Sequence, residues 1–201
     1  MENLKPWYTL NVDIRDAIKQ DFDFKNLYNN SAFSKDQMGI WFYTYDKLQE
    51  LFNTPWLEHM KSIDLQVGSC VVFYRKPNYY RDEVHTDLLS HSNLPAVYGL
   101  NWTLDPNDDS EMIWYENSVP PPPLMQVPEN DLQYIGWPLS DFTDKEIAHH
   151  TIGNQLTLVN VGIPHNVRTK NLERWCISLR LKNKIMKDWP HTVETFSKFI
   201  C

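Results

Sequence analysis

Five short runs rich in β-branched and aromatic residues set the main constraint on this chain. They are LQVGSCVVFYR (65–75), AVYGLNWTL (96–104), EMIWYE (111–116), QLTLVNV (155–161) and RWCISLRL (174–181), and polar or Pro/Gly segments separate them. Runs of this kind with turn signals between them predict a sandwich or barrel of antiparallel strands. The first 64 residues read differently. WYTL predicts a short strand. NVDIRDAIKQDF places Ile14, Ala17 and Ile18 on one helical face, and YDKLQELF does the same for Leu48, Leu51 and Phe52. Thr54 and Pro55 fit the N-cap and first-turn proline of a further short helix. Helices followed by strands predict a mainly β fold, a double-stranded β-helix (jelly roll) with N-terminal helices packed on its outer face.

The predicted organisation is one domain over residues 1–201, as its length suits. Residues 1–64 form a mixed helical support, 65–182 the jelly-roll core, and 183–201 a C-terminal helix carrying ETFSKFI. Residues 117–150 interrupt the core with a Pro-rich insertion whose four prolines at 120–123 cannot sit in a central strand. Such a connection serves as a lid or as a plain surface excursion.

Charge and composition narrow the function classes. Nineteen basic and 26 acidic residues give a net charge of −7, which disfavours nucleic acid as a partner. There is no apolar run of about 20 residues for a bilayer, and MENLKPWYTL lacks the apolar stretch of a signal peptide. Cys70, Cys176 and Cys201 form no CxxC pair, so a reducing cytoplasm is the simpler expectation.

His85 and Asp87 in EVHTDLL are two apart, so on extended chain both face one side while Thr86 faces the other. Two imidazoles and a carboxylate on one face suit iron(II) that must keep positions open for cosubstrate and oxygen. Among seven histidines, His165 is the best third ligand, because it follows a strongly apolar strand and a Gly-Ile-Pro break. His149 and His150 point to opposite faces if extended, and His91 lies in a Ser/Asn/Pro loop. By itself His-x-Asp is a weak signal, and a solvated loop explains most such triplets.

Arg174 follows His165 by nine residues. On a strand, Arg174, Cys176, Ser178 and Arg180 share one face and Trp175, Ile177, Leu179 and Leu181 the other. The second set is the core-packing face, so the first lines a cavity or solvent. A guanidinium fork with a nearby hydroxyl suits the far carboxylate of a dicarboxylic cosubstrate. Arg180 reads as a substrate anchor in that row or as a snorkelling surface arginine, with a slight preference for the surface. Asn101 alternates with Leu100 and Trp102, so it either lines the cavity or is a buried amide bonded to backbone.

The order His-x-Asp, His, then Arg nine residues on resembles the Fe(II)/2-oxoglutarate-dependent dioxygenase superfamily, and within it the prolyl-hydroxylase-like branch. The likeness rests on VVFYRKPNYYRDEVHTD, YGLNWTLDPNDDSEMIWYE and VNVGIPHNVRTKNLERWCISLRL, and covers about residues 65–116 and 151–182. The resemblance implies that His85, Asp87 and His165 bind Fe(II), that Arg174 binds 2-oxoglutarate with Ser178 assisting, and that Tyr74 supplies an aromatic hydroxyl to the same carboxylate. It also implies O2 as co-reactant and hydroxylation rather than halogenation, since halogenating relatives lack the carboxylate that Asp87 provides. The substrate expected is an amino-acid-type small molecule or a protein side chain. The chain departs from the branch in KPNYYRDE before His85, in Gly99 where a tyrosine is usual, and in DDSE before the strand at 111. An alternative function is a non-catalytic jelly-roll protein that binds a small carboxylate, with or without metal.

Overall fold

The computed structural model of the chain describes residues 4–31, 38–80, 82–88, 96–120, 125–126, 133–182, 184 and 186–201. In chain order the elements are β1 (Trp7–Thr9), α1 (Phe24–Asn29), β2 (Met38–Tyr43), α2 (Leu48–Leu51), α3 (Thr54–Ser62), β3 (Val67–Arg75), β4 (Glu83–Asp87), β5 (Tyr98–Thr103) and β6 (Glu111–Tyr115). The second half adds β7 (Met125–Gln126), β8 (Gln133–Pro138), β9 (Glu146–His150), β10 (Thr157–Asn160), β11 (His165–Arg168), β12 (Arg174–Leu181) and α4 (Trp189–Phe196).

The strands form two six-stranded antiparallel sheets, with orders β1-β10-β5-β12-β3-β2 and β7-β8-β4-β11-β6-β9. From β3 onward, omitting the β7–β8 hairpin, the pairing is nested: β3 with β12, β4 with β11, β5 with β10, and β6 with β9. The chain therefore folds as a long double strand whose ends meet and whose steps alternate between the sheets. Among the described residues, no helix is long and apolar enough to cross a membrane.

The first sheet is buried on both faces. Val72, Leu100, Trp102, Ile177 and Leu179 point outward, where Leu51, Trp56, Met60 and Phe196 of the helices cover them in the largest apolar cluster. The opposite face carries Arg75, Asn101, Cys176 and Ser178 and looks toward the second sheet. The alternation within RWCISLRL thus splits as its sequence predicts, with the polar row lining a cavity.

Three sequence expectations change. Residues 11–22 form no helix: the Asp13 carboxylate accepts the Arg15 backbone N–H at 2.9 Å and its guanidinium at 2.6 Å, and Asp16 adopts a left-handed φ of 57°. A short acidic side chain that closes on nearby backbone competes with the helical ladder. Ala17 and Ile18 still reach the core, because the segment docks on α2 through Lys19 N–H to Leu51 O (3.0 Å) and Asn53 N–H to Ala17 O (2.9 Å). At α3, Thr54 is the first helical residue and Asn53 the cap, and Asn53 Nδ2 donates to the Asp16 carbonyl at 2.6 Å.

Residues 117–150 are more than an excursion. They supply β8, which flanks β4, and β9, which pairs with β6. Pro120 anchors the segment by accepting from the Trp137 indole at 2.8 Å, while 121–124 and 127–132 lie outside the described residues, and so does the question of a lid there. β2, whose MGIWFY run has strand composition, extends the first sheet beside β3.

Truncating Leu100, fully buried between β5 and the helices, removes contacts from the main core. Leu100→Ala is expected to lower stability by about 2–5 kcal/mol in chemical denaturation. Ile147→Ala, at a position 53% exposed, should shift it by under about 0.5 kcal/mol.

Candidate metal centre

β4 lies between β8 and β11, and its partner register sets His165 directly opposite His85. Directly paired residues in an antiparallel ladder point to the same face. Asp87, two residues on, joins them. The imidazole centroids of His85 and His165 are 4.3 Å apart. Asp87 Oδ1 lies 3.8 Å from His85 Nε2 and 3.9 Å from His165 Nε2. One donor atom from each residue falls within 4.8 Å of the others, so the cluster could hold a metal ion, and it is the one such group among the described residues.

Donors held at about 2.1 Å and at right angles around an ion would be about 3 Å apart. The two Asp87–histidine spacings exceed that by under 1 Å, within reach of small side-chain rotations. His165 is prepared for the role. Its Nδ1 lies 3.0 Å from the Ile163 carbonyl, which fixes the proton there and turns Nε2 toward Asp87. Burial pushes the His165 imidazole below its ordinary pKa, against the raising charge of Asp87 and its backbone hydrogen bond. The neutral ring is the form that ligates metal.

Asp87 divides its two oxygens. Oδ1 faces the histidines, while Oδ2 accepts from Arg180 Nη2 at 2.7 Å. Arg180 therefore turns inward, contrary to the surface preference. Its Nη1 also donates to Ser178 Oγ at 2.8 Å and to the Leu179 carbonyl at 3.1 Å. Gly99 makes room for this: a Cβ there would sit 2.8 Å from Arg180 Nη1 and 2.9 Å from Asn101 Oδ1.

Arg174 is 3% exposed and its Nε has no hydrogen-bond partner. Asn101 stands opposite Ser178 and its Oδ1 is likewise buried and unsatisfied. Both line the same cavity as the His/Asp cluster. A buried guanidinium and a buried amide left so are costly unless something fills the space between.

Tyr74 does not join them. The same alternation that brings Phe73 and Arg75 inward sends Tyr74 to the helix-side core, against Trp175 (4.6 Å between centroids) and Tyr28 (4.4 Å). Its hydroxyl meets Glu173 at 3.3 Å, and burial followed by the charge of Glu173 pushes its pKa up to about 12. The residue that sequence reasoning missed is Arg75, 4% exposed and paired in register with Arg174. Alternation along VVFYR, applied as on β12, would have found it.

The remaining histidines stand apart. His149 faces out, 2.7 Å from Glu146, and His150 stacks on Trp7 at 4.7 Å. His59 and His191 lie on α3 and α4, and His91 falls outside the described residues.

The cavity beside the cluster measures about 30 Å³, room for a water or two and not for a five-carbon diacid. Arg180 crosses the space between Asp87 and Ser178, so a larger ligand requires it or a wall to move. A groove of about 490 Å³ near Asp13, Trp56 and His59 shares no residue with the cluster.

Single substitutions His85→Ala and His165→Ala should each weaken Mn(II) or Fe(II) affinity by about tenfold or more, read by equilibrium titration under argon. His149→Ala, outside the cluster, should leave it unchanged. No protein-family model matches the chain, and no curated protein matches it.

Proposed function

We propose that the protein is an Fe(II)- and 2-oxoglutarate-dependent oxygenase that hydroxylates an amino-acid-type substrate, free or within a protein. The observation that carries this reading is the convergence on one cavity of the His85–Asp87–His165 cluster and the buried Arg174, whose Nε has no hydrogen-bond partner among the described residues. Nested strand pairing across two antiparallel sheets, with helices outside the first, is consistent with the expected jelly roll and supports the same reading.

Two imidazoles and one carboxylate are the donor set of an oxygen-activating iron site, and here they share one face and leave the other side open to the cavity. His85, Asp87 and His165 would hold the ion. When bound, iron supplies oxygen activation coupled to decarboxylation of 2-oxoglutarate to succinate and CO2.

The chain's own residues supply orientation and exclusion. The Ile163 carbonyl keeps the His165 proton on Nδ1. Arg180 fixes one Asp87 oxygen, so the carboxylate offers the other to the ion as a single donor. Arg174, deep in the cavity, receives the far carboxylate of 2-oxoglutarate, while Asn101 presents an acceptor beside it. Val161, Val167 and Met112 make the wall apolar and keep water from the reacting centre.

The small volume beside Arg180 favours a second reading, a carboxylate-binding protein without turnover. Succinate separates the two. Purified chain with Fe(II), 2-oxoglutarate and O2 should form succinate above a metal-free control. Asp87→Ala should lower that by about a hundredfold or more, and Arg174→Ala should raise the 2-oxoglutarate concentration needed by about tenfold or more. Glutarate or 2-oxoglutarate binding with no succinate formed under any metal would leave the binding protein as the function. Oxygen consumption that ignores 2-oxoglutarate would point to a different iron oxygenase.

A further inference from the structure

The inner face of β3 carries a second guanidinium for which neither the His/Asp cluster nor the branch pattern accounts. Arg75 is 4% exposed, sits in register with Arg174 on the adjacent strand, and lines the same cavity. We propose that Arg75 and Arg174 act together as a paired clamp for the terminal carboxylate of a small dicarboxylic acid. The clamp rests on the oxygenase reading only where that acid is named as 2-oxoglutarate.

Position and charge both support the pair. Directly opposed residues on antiparallel strands present side chains to one face, so two cations stand side by side at the floor of a cavity. A carboxylate received between two guanidinium groups gains a charge-assisted contact from each. No ion pair within 4 Å involves Arg174 among the described residues. Asp108, a buried carboxylate on the following turn, is engaged by the Ser110 backbone N–H at 3.1 Å and its hydroxyl at 2.7 Å.

Arg75 is also held in place. Its Nη1 donates to the Val167 carbonyl at 2.8 Å, and its guanidinium carbon lies 5.5 Å from the centre of the Tyr79 ring. A planar fork fixed by a carbonyl and an aromatic face is preorganised for a carboxylate. The branch uses a phenolic hydroxyl in this region. In this chain that phenol, Tyr74, faces the helices, and the neighbouring position on the inner face is a cation. A phenol adds a neutral hydrogen bond, whereas a second guanidinium adds charge, so the clamp selects an anionic terminus over an uncharged one.

Glutarate is the probe, because it carries the terminal carboxylate without the 2-oxo acid that needs metal. Calorimetric titration into the metal-free full chain should show binding, with Arg180 or a cavity wall moving to admit the diacid. Arg75→Gln and Arg174→Gln should each weaken it by about tenfold or more, with Arg75→Lys intermediate. Arg75→Gln that binds glutarate as tightly as the unmodified chain overturns the clamp, and so does an unmodified chain that binds none. Should the variants fail to fold, the arginine Nε–H resonances of the unmodified chain decide. Glutarate should move both the Arg75 and Arg174 signals, and movement of one alone or of neither overturns the pair. Glutarate binding that depends on both arginines, in a chain that never forms succinate, would remove the oxygenase reading and leave the clamp standing.

Discussion

The register between β4 and β11 is the constraint on which the site depends. A shift of one residue would set His165 against Val84 or Thr86 and turn its ring to the other face. That register is held from both sides. β8 pairs along the whole of β4, and β6 pairs along the whole of β11, so the two short strands that carry the cluster lie in the middle of their sheet. Short strands at a sheet edge fray; these two, each paired along its whole length on one side and bridged to the other at His85 and His165, have less unpaired backbone to lose.

Charge is the second organising force. Between the sheets lie three arginines, Arg75, Arg174 and Arg180, with Asp87. Arg180 pairs with Asp87, the carboxylate within 4 Å of both cluster histidines. The cavity between the sheets thus brings the His/Asp cluster together with the cations Arg75 and Arg174. The apolar core that stabilises the sheet lies on its other face, under the helices.

Much of this was legible in the sequence because it depends on period two. RWCISLRL separates a polar row from an apolar one without help from the rest of the chain, and EVHTD places its two polar ends together for the same reason. His165 was legible from its place after an apolar run, although the structure makes it the first residue of a new strand. Tyr74 departs from its expected place because the alternation of VVFYR puts it on the helix side, with Phe73 and Arg75 facing the cavity. Residues 11–22 carry helical spacing at Ile14, Ala17 and Ile18 without a helix, because that spacing also arises when a turn-rich segment docks on a neighbour. The inward turn of Arg180 had a signal in Gly99, whose missing side chain leaves room for it, but that signal needs the strand pairing to be read.

The β12 strand divides labour between its faces. Trp175, Ile177 and Leu179 hold the sheet to the helices, whereas Arg174, Cys176 and Ser178 line the cavity. The residues that hold the sheet to the helices and those that line the cavity are therefore neighbours in sequence yet separated by a layer of backbone. Such a strand can exchange its inner row, and with it what the protein accepts, while the outer row continues to hold the fold. Selection can act on one row at a time, which makes this wall of the cavity the part of the molecule most open to acquiring a new specificity.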